Sequence, residues 1–302
     1  RAARSRRDER PGRTRSSPLA RRLGDELGID LSGVPGTGPG GSVVGRDVRL
    51  AAAATSSGAP SGAHLPGSSG APSPVADTTA TRQAAMRRAI GGLMARSKRE
   101  IPHYYLTTTV DAAAAMAWLA QANLDRPVTG RLVLPVLLVK ATARAVARVP
   151  EMNGFFVDGA FSAGDAVHVG MAISLRTGGV IAPAIHDADQ LPLDELMERL
   201  RDLVERARAG VLRSSEMNDP TITITNLGDL GVETVFGVIY PPQVALVGFG
   251  RVTDRPFAEG GMLGVRPSVT ATLSADHRVS DGHRGGRFLA EIDRLLEEPE
   301  NL

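Results

Sequence analysis

Ser274-Ala275-Asp276-His277-Arg278-Val279-Ser280-Asp281-Gly282 is the stretch on which the reading of this chain turns. It sits where an apolar strand pattern, Val265 to Leu273, gives way to a helical one from Asp281 to Leu296. A strand that ends in a histidine and restarts as a helix behind Asp-Gly can present an imidazole for proton chemistry. Imidazole takes and returns a proton near neutral pH without large tuning. A carboxylate four positions on can orient nearby groups or cap the new helix, and Gly282 lets the chain turn closely into it.

Outward from this junction, strand and helix patterns are interspersed. Tyr104 to Val110, Val167 to Leu175, Val180 to Ile185, Val244 to Gly250 and Val265 to Leu273 read as strands. Thr221 to Asn226 alternates Thr and Ile, as a strand with one wet face should. Met86, Ile90, Leu93 and Met94 share one face of a helix that stops before Pro102. Asp111 to Ala122, Leu134 to Val149 and Leu193 to Ala209 are further helices. Residues 81–302 therefore read as one α/β domain.

The preceding sequence divides again. Residues 55–80 are rich in Ala, Pro, Ser and Gly, lack apolar bulk, and read as a flexible linker. Residues 16–54 form a small helical unit. Ser17 and Pro18 open its first helix, Leu19, Leu23 and Leu27 share a face, and Gly28 stops it. Gly36, Gly38 and Gly41 match G-x-G-x-x-G, but they follow a helix rather than a strand, so the dinucleotide reading fails. Those glycines suit a tight loop before a short helix opening at Gly45. A unit of about 40 residues is too small to be very stable alone and suggests a docking module.

Charge is uneven. Residues 1–22 hold nine arginines against Asp8 and Glu9, a surplus of seven, while the whole chain is +2, so the remainder is about −5. Residues 1–15 read as a basic disordered segment with no aromatics, which speaks against nucleic acid binding. Without cysteine there are no disulfides or thiolate metal ligands, and a reducing compartment fits. No apolar run approaches 18 residues, so no membrane helix is expected. His277 and His283 without a third ligand make no metal site, and none is expected.

Asp276-His277-Arg278-x-x-Asp281-Gly282 resembles the active-site signature of the dihydrolipoamide acyltransferases of 2-oxoacid dehydrogenase complexes. Chloramphenicol acetyltransferase shares the same His-x-x-x-Asp-Gly and the fold. Ile101-Pro102-His103-Tyr104 is similar to the family's entry strand. Thr221 to Gly228 followed by Pro241-Pro242-Gln243 is similar to its oxyanion-side segment. Gly28-Ile29-Asp30-Leu31 and Gly36-Thr37-Gly38-Pro39-Gly40-Gly41 resemble the family's peripheral subunit-binding domain. The resemblance covers residues 16–54 and 81–302 in the family's order.

The resemblance implies a chloramphenicol-acetyltransferase-like, mixed-sheet, two-layer catalytic domain behind a small all-α docking domain. It implies acyl transfer, most simply acetyl in a pyruvate-type complex, between dihydrolipoamide and coenzyme A. His277 would be the general base and Thr225 the oxyanion donor. Asp281 would orient, held in a salt bridge that fixes the active-site loop. His277 and Thr225 would come from adjacent subunits of a homotrimer or a larger trimer-based shell. Arg21, Arg22 and Arg46 would dock decarboxylase or dihydrolipoamide dehydrogenase subunits, although Asp25 and Ser42 stand where the family usually has arginine.

Lys98 and Lys140 are the only lysines, and both fall in helical patterns rather than at a hairpin tip. The lipoyl group must then come from a domain outside this chain, and the start at Arg1 suggests that such a domain precedes it. His103 is expected beside the substrate channel or in the core, and His168 and His186 at ordinary strand or loop positions. Bacterial cytoplasm is favoured over a mitochondrial matrix. The alternatives are a non-catalytic scaffold subunit of the same kind of complex and a stand-alone O-acetyltransferase. The scaffold reading is disfavoured because the chain keeps His277, Asp281 and Thr225. The stand-alone enzyme would not need the docking unit and linker. A serine hydrolase is excluded for want of a G-x-S-x-G elbow.

Overall fold

The computed structural model describes residues 16–37, 42–55, 74–175 and 178–302. They fall in two compact units that divide between Pro72 and Ser73. In the first unit α1 (Pro18–Leu27) packs on α2 (Gly45–Thr55). Ser17 caps α1 by accepting from the Ala20 N–H at 3.2 Å, and Gly28 ends it with φ 64°. The core is Ala20, Val34, Val43 and Val48.

Leu19 and Leu27 do not join that core but remain 55% and 47% exposed. The filling comes instead from Val34 and Val43 outside the helices and from Val48 of α2, leaving the ends of the leucine stripe at the rim. Asp47, almost fully buried, accepts from the N–H groups of Val44 and Thr37, both at 3.0 Å, and from the Thr37 hydroxyl at 2.7 Å. It thereby ties the loop to α2. Gly38, Gly41, His64 and the basic segment 1–15 lie outside the described residues.

The second unit opens with α3 (Pro74–Glu100), which starts inside the stretch expected to be linker, at 74 rather than 81. Then come β1 (His103–Asp111), α4 (Ala113–Ala122), α5 (Leu134–Ala145), and a hairpin of β2 (Gly154–Val157) and β3 (Ala160–Ala163). The short strands β4 (Val169–Met171), β5 (Ile173–Ser174), β6 (Val180–Ile181) and β7 (Ala184–Ile185) follow, then α6 (Leu193–Ala209) and α7 (Ser214–Asn218). The chain ends with β8 (Ile222–Asn226), β9 (Ala245–Phe249), β10 (Thr253–Glu259), β11 (Met262–Asp276) and α8 (Gly282–Glu297). The main sheet runs β1-β11-β9-β8-β4-β7, with β10 also pairing β11. It is mixed: β8 is parallel to both β9 and β4, and the other neighbours are antiparallel.

The period of two in each strand sorts side chains to two faces. Val269, Ala271, Leu273 and Ala275 of β11, Val247 and Phe249 of β9, and Ile222 and Ile224 of β8 join the core shared with α5, α6 and α8. The other face is polar, but it is not wet. Thr223 is fully buried and donates to Gln243 Oε1 at 2.7 Å, and Thr272 donates to the Gly248 carbonyl at 3.3 Å and to that of Val235. A strap, residues 232–240, crosses this face. It lies so close that a Cβ on Gly248 would stand 2.4 Å from the Val235 oxygen. The alternation of Thr and Ile thus marks a face whose inner threonines pair with Asn153 and Gln243 rather than with water.

Asp293 of α8 has a buried Oδ1 without a partner among the described residues. Burial, then the carboxylates of Glu297 and Asp111, push its carboxyl up to about 6. A carboxyl raised above its unfolded value near 3.9 favours the fold when protonated, so stability falls as pH rises from about 4 through 6. Asp293→Asn is expected to gain about 1–3 kcal/mol of stability at pH 7.5 and to flatten that window. Thermal melts at pH 5 and 7.5 check this; a variant less stable at pH 7.5 contradicts it.

Candidate active site

His277 is the first residue after β11, on a turn pinned at every peptide. Asp276 donates its N–H to Val244 O at 2.9 Å, and His277 donates its own to Pro102 O at 3.0 Å. The Asp276 carbonyl accepts from the N–H groups of Val279 at 3.0 Å and Ser280 at 3.1 Å. The Asp276 side chain has no exposed surface. It takes the Arg278 N–H at 2.9 Å and both arms of the Arg278 guanidinium, the closest at 2.6 Å. That guanidinium also lies 3.9 Å from the centre of the Phe156 ring.

Tyr104 supports the turn from β1. Its ring meets the His277 ring edge-on at 5.2 Å, and its hydroxyl is 2.8 Å from Ser280 Oγ. Burial, ahead of any other influence, raises the Tyr104 pKa. A side chain on Gly285 would clash with that hydroxyl at 2.9 Å, so the glycine lets α8 close onto Tyr104. His277 itself is exposed, and neither ring nitrogen has a hydrogen-bond partner among the described residues. A fixed backbone with a free imidazole suits a proton carrier.

Within this chain Asp281 takes the capping role that the sequence offers it. It is the N-cap of α8, exposed, with extended backbone, and it accepts the Arg284 N–H at 2.9 Å. That backbone N–H, with the one on His283, holds its carboxyl below the usual range. The salt bridge that fixes the turn within this chain is that of Asp276 and Arg278, because Asp276 points into the closed side of the loop.

Thr225 lies at the far end of β8, half-buried, its hydroxyl without a partner among the described residues. Its face of the strand is the strap's, opposite Ile224. Within one chain it is not near His277. Thr225 pairs with Gly248, and Gly248 with Thr272, five residues before His277. Two strand spacings and five residues of rise put the two side chains about 20 Å apart. A cleft of about 360 Å³ opens beside Asn226, Gly228 and Asp229, lined also by Met116 and Leu138. A larger one, about 840 Å³, is lined by Lys140, Asp187 and Leu302 and includes neither His277 nor Thr225.

The other candidates disperse. Arg21 donates to Ser16, Arg22 pairs with Glu26 at 3.1 Å, and Arg46 donates to the Thr37 hydroxyl at 2.7 Å while staying 70% exposed. His168 accepts from the Asp187 N–H, and His186 meets Asp219 at 3.0 Å. Among the described residues no three His, Cys, Asp or Glu are grouped to hold a metal, and no helix is long and apolar enough to cross a membrane. Lys140 is buried in α5 and donates to the carbonyls of Asp189 and Leu191, while Lys98 is in α3. Sequence reasoning missed Asp276, Arg278, Tyr104 and Ser280 as the support of the turn. Only the spacing of His103 and Tyr104 before an alternating strand hinted at it.

A mixed sheet under a helical layer thus carries His277 at the end of its longest strand. The model of the 2-oxoacid dehydrogenases acyltransferase catalytic domain matches residues 75–302, and that of the e3 binding domain matches 14–49. The chain belongs to the 2-oxoacid dehydrogenase acyltransferase family. It is 32% identical over 94% of its length to the dihydrolipoyllysine-residue acetyltransferase component of the pyruvate dehydrogenase complex of Rhizobium meliloti, and covers 67% of that protein. It is 30% identical over 96% of its length to the lipoamide acyltransferase component of the branched-chain alpha-keto acid dehydrogenase complex of Bacillus subtilis, covering 72%. The chain spans 54–72% of the length of the curated relatives it matches.

Among solved structures, the Azotobacter vinelandii dihydrolipoamide acetyltransferase superposes with a TM-score of 0.69 at 25% identity, over 72% of this chain and 90% of that one. A probable dihydrolipoamide acetyltransferase from Listeria monocytogenes gives 0.67 at 28%, over 70% and 91%. The Azotobacter study concerns the catalytic role of a serine, a histidine and an asparagine, spaced along that chain as Thr225, His277 and Asp281 are along this one.

If capping is the contribution of Asp281, Asp281→Asn keeps it and Asp281→Ala loses it, with a lower melting temperature. The Asn variant is expected to match wild type in melting temperature and acyl transfer. An Asn variant as impaired as Ala would show that the charge matters.

Proposed function

We propose that this chain is the acyltransferase core of a 2-oxoacid dehydrogenase complex, moving an acyl group between dihydrolipoamide and coenzyme A. The observation that carries the reading is the exposed imidazole of His277, without a hydrogen-bond partner among the described residues, on a turn fixed by Asp276.

A thiol near 8.5 can pass its proton to an imidazole near 6.5 at a cost of about 2.7 kcal/mol, small against a turnover barrier. His277 takes the proton from the attacking thiol, of coenzyme A in one direction and of dihydrolipoamide in the other. The thiolate adds to the thioester carbonyl. The Thr225 hydroxyl donates to the oxyanion so formed, a contribution of about a hundredfold or more in rate. Collapse breaks the bond to the other sulfur, and His277 returns the proton to it. Atoms balance, and no redox partner is needed.

The separation of His277 from Thr225 within one chain makes a second copy part of the reading. The trimer of the family supplies it, with His277 from one subunit facing Thr225 of the next. The exposed apolar arm of β10 and β11, with Met262, Leu263 and Val265 each more than 70% exposed, is a surface such an assembly can cover. Acetyl is the proposed acyl group, following the first relatives, and a branched acyl group is the other option they raise. The small unit docks a dehydrogenase or decarboxylase subunit through Arg21, Arg22 and Arg46, and the lipoyl group arrives on a domain outside this chain.

Transfer from acetyl-CoA to free dihydrolipoamide is expected for the wild type. It should fall at least about a hundredfold in His277→Ala, the loss typical of a general base. No transfer by the wild type with acetyl, propionyl or branched acyl-CoA contradicts the reading.

A further inference from the structure

A second histidine near the turn is committed to two backbone groups. His103, at the start of β1, has Nδ1 2.9 Å from Ile101 O and Nε2 3.2 Å from Ile239 N. A carbonyl only accepts and an amide N–H only donates, so these partners fix the tautomer. Nδ1 carries the proton, Nε2 does not, and the ring is neutral. The same residue is gripped on its other side, where buried Ser97 of α3 donates to Ile239 O at 2.6 Å. Ile101, Ile239 and Leu246 bury one another there in a small apolar cluster apart from the main core.

Both polypeptide segments joined at this point carry the His277 turn. Pro102, between Ile101 and His103, accepts the His277 N–H, and Val244, shortly after Ile239, accepts the Asp276 N–H. We propose that His103 is a positioning residue for acyl transfer. With Ser97 it latches the strap to the Ile101–His103 backbone and so holds the two carbonyls on which the His277 turn hangs. The proposal rests on His277 being the base.

The latch works only with a neutral ring, because a proton on Nε2 would face the Ile239 N–H donor to donor. Burial, with a smaller contribution from Lys98, holds the His103 pKa below its ordinary value against the opposing hydrogen bond to the Ile101 carbonyl and the weaker pull of Asp276. The charged and titratable groups around it are Lys98 at the end of α3, Asp276 of β11 with its partner Arg278, Tyr105 stacked at 5.8 Å, and Tyr240 of the strap. No carboxylate pairs directly with the ring among the described residues.

The test compares His103→Ala, His103→Gln and Ser97→Ala in the full chain, by steady-state acyl transfer and by hydrogen exchange of residues 232–244. Gln can accept from Ile239 N–H and cannot titrate. His103→Ala is expected to lower kcat about 10- to 100-fold with KM for coenzyme A within about threefold, the mark of a misplaced group and not of lost binding. Exchange across the strap should rise. His103→Gln should recover most of kcat, and Ser97→Ala should raise strap exchange with a smaller loss of rate. Unchanged kcat in His103→Ala, or Gln as impaired as Ala, overturns the proposal. Should His103→Ala not fold, Gln and Ser97→Ala decide it: strap exchange unchanged in Ser97→Ala counts against the latch. A wild type without transfer activity would defeat the general-base reading instead, while strap exchange would still report on the latch.

Discussion

A carboxylate with no exposed surface, Asp276, ends the central strand, and the site depends on how that charge is compensated. Leaving water is costly for an ion, and the cost is met here by the Arg278 guanidinium and one backbone N–H. Both donors belong to Arg278, two residues on, so satisfying the charge winds the chain into the turn that presents His277. Removing Arg278 would strand a buried charge, a change worth about 3–5 kcal/mol in comparable cases. The turn is therefore defined by electrostatics before the helix behind it contributes anything. Asp281 then starts that helix.

The sheet explains why the proposed reaction calls for a second copy. Its apolar face is consumed by the helices, and its polar face is closed by the strap. What remains reactive lies at two ends of strands, His277 after β11 and Thr225 near the end of β8. Parallel pairing of β8 with β9 and antiparallel pairing of β9 with β11 send those ends to opposite edges of the sheet. A rigid sheet cannot bend them together, so the proposed chemistry needs a neighbouring copy. The His103 latch belongs to the same logic: it fixes the strap at the edge where His277 sits.

Much of this was legible in the sequence where one signal decided the outcome. α6 runs from Leu193 to Ala209 as the periodicity indicates, with Gly210 in left-handed conformation behind it. The junction of β11 and α8 falls at Asp281-Gly282. The hairpin of β2 and β3 was not legible, because four-residue strands give too little alternation to stand out. β10 was hidden because Thr253–Glu259 carries no apolar alternation and faces solvent. Thr221 and Thr223 read as wet because composition cannot reveal the buried partners Asn153 and Gln243. In the site, His277 and Thr225 stood out through family motifs, whereas the Tyr104–Ser280 contact joins residues 176 apart and depends on the register of β1 with β11. The Asp276–Arg278 salt bridge was not legible because spacing alone does not say which carboxylate faces inward.

The central claim is that His277 of one subunit and Thr225 of another act on the same acyl group. Mixing His277→Ala with Thr225→Ala subunits, by co-expression or by unfolding and refolding together, tests it most directly. Each variant alone should be nearly inactive. Mixed oligomers should regain a substantial part of wild-type transfer, because some interfaces then pair an intact His277 with an intact Thr225. Mixed oligomers as inactive as either parent would place both residues in one chain's site and would contradict the account.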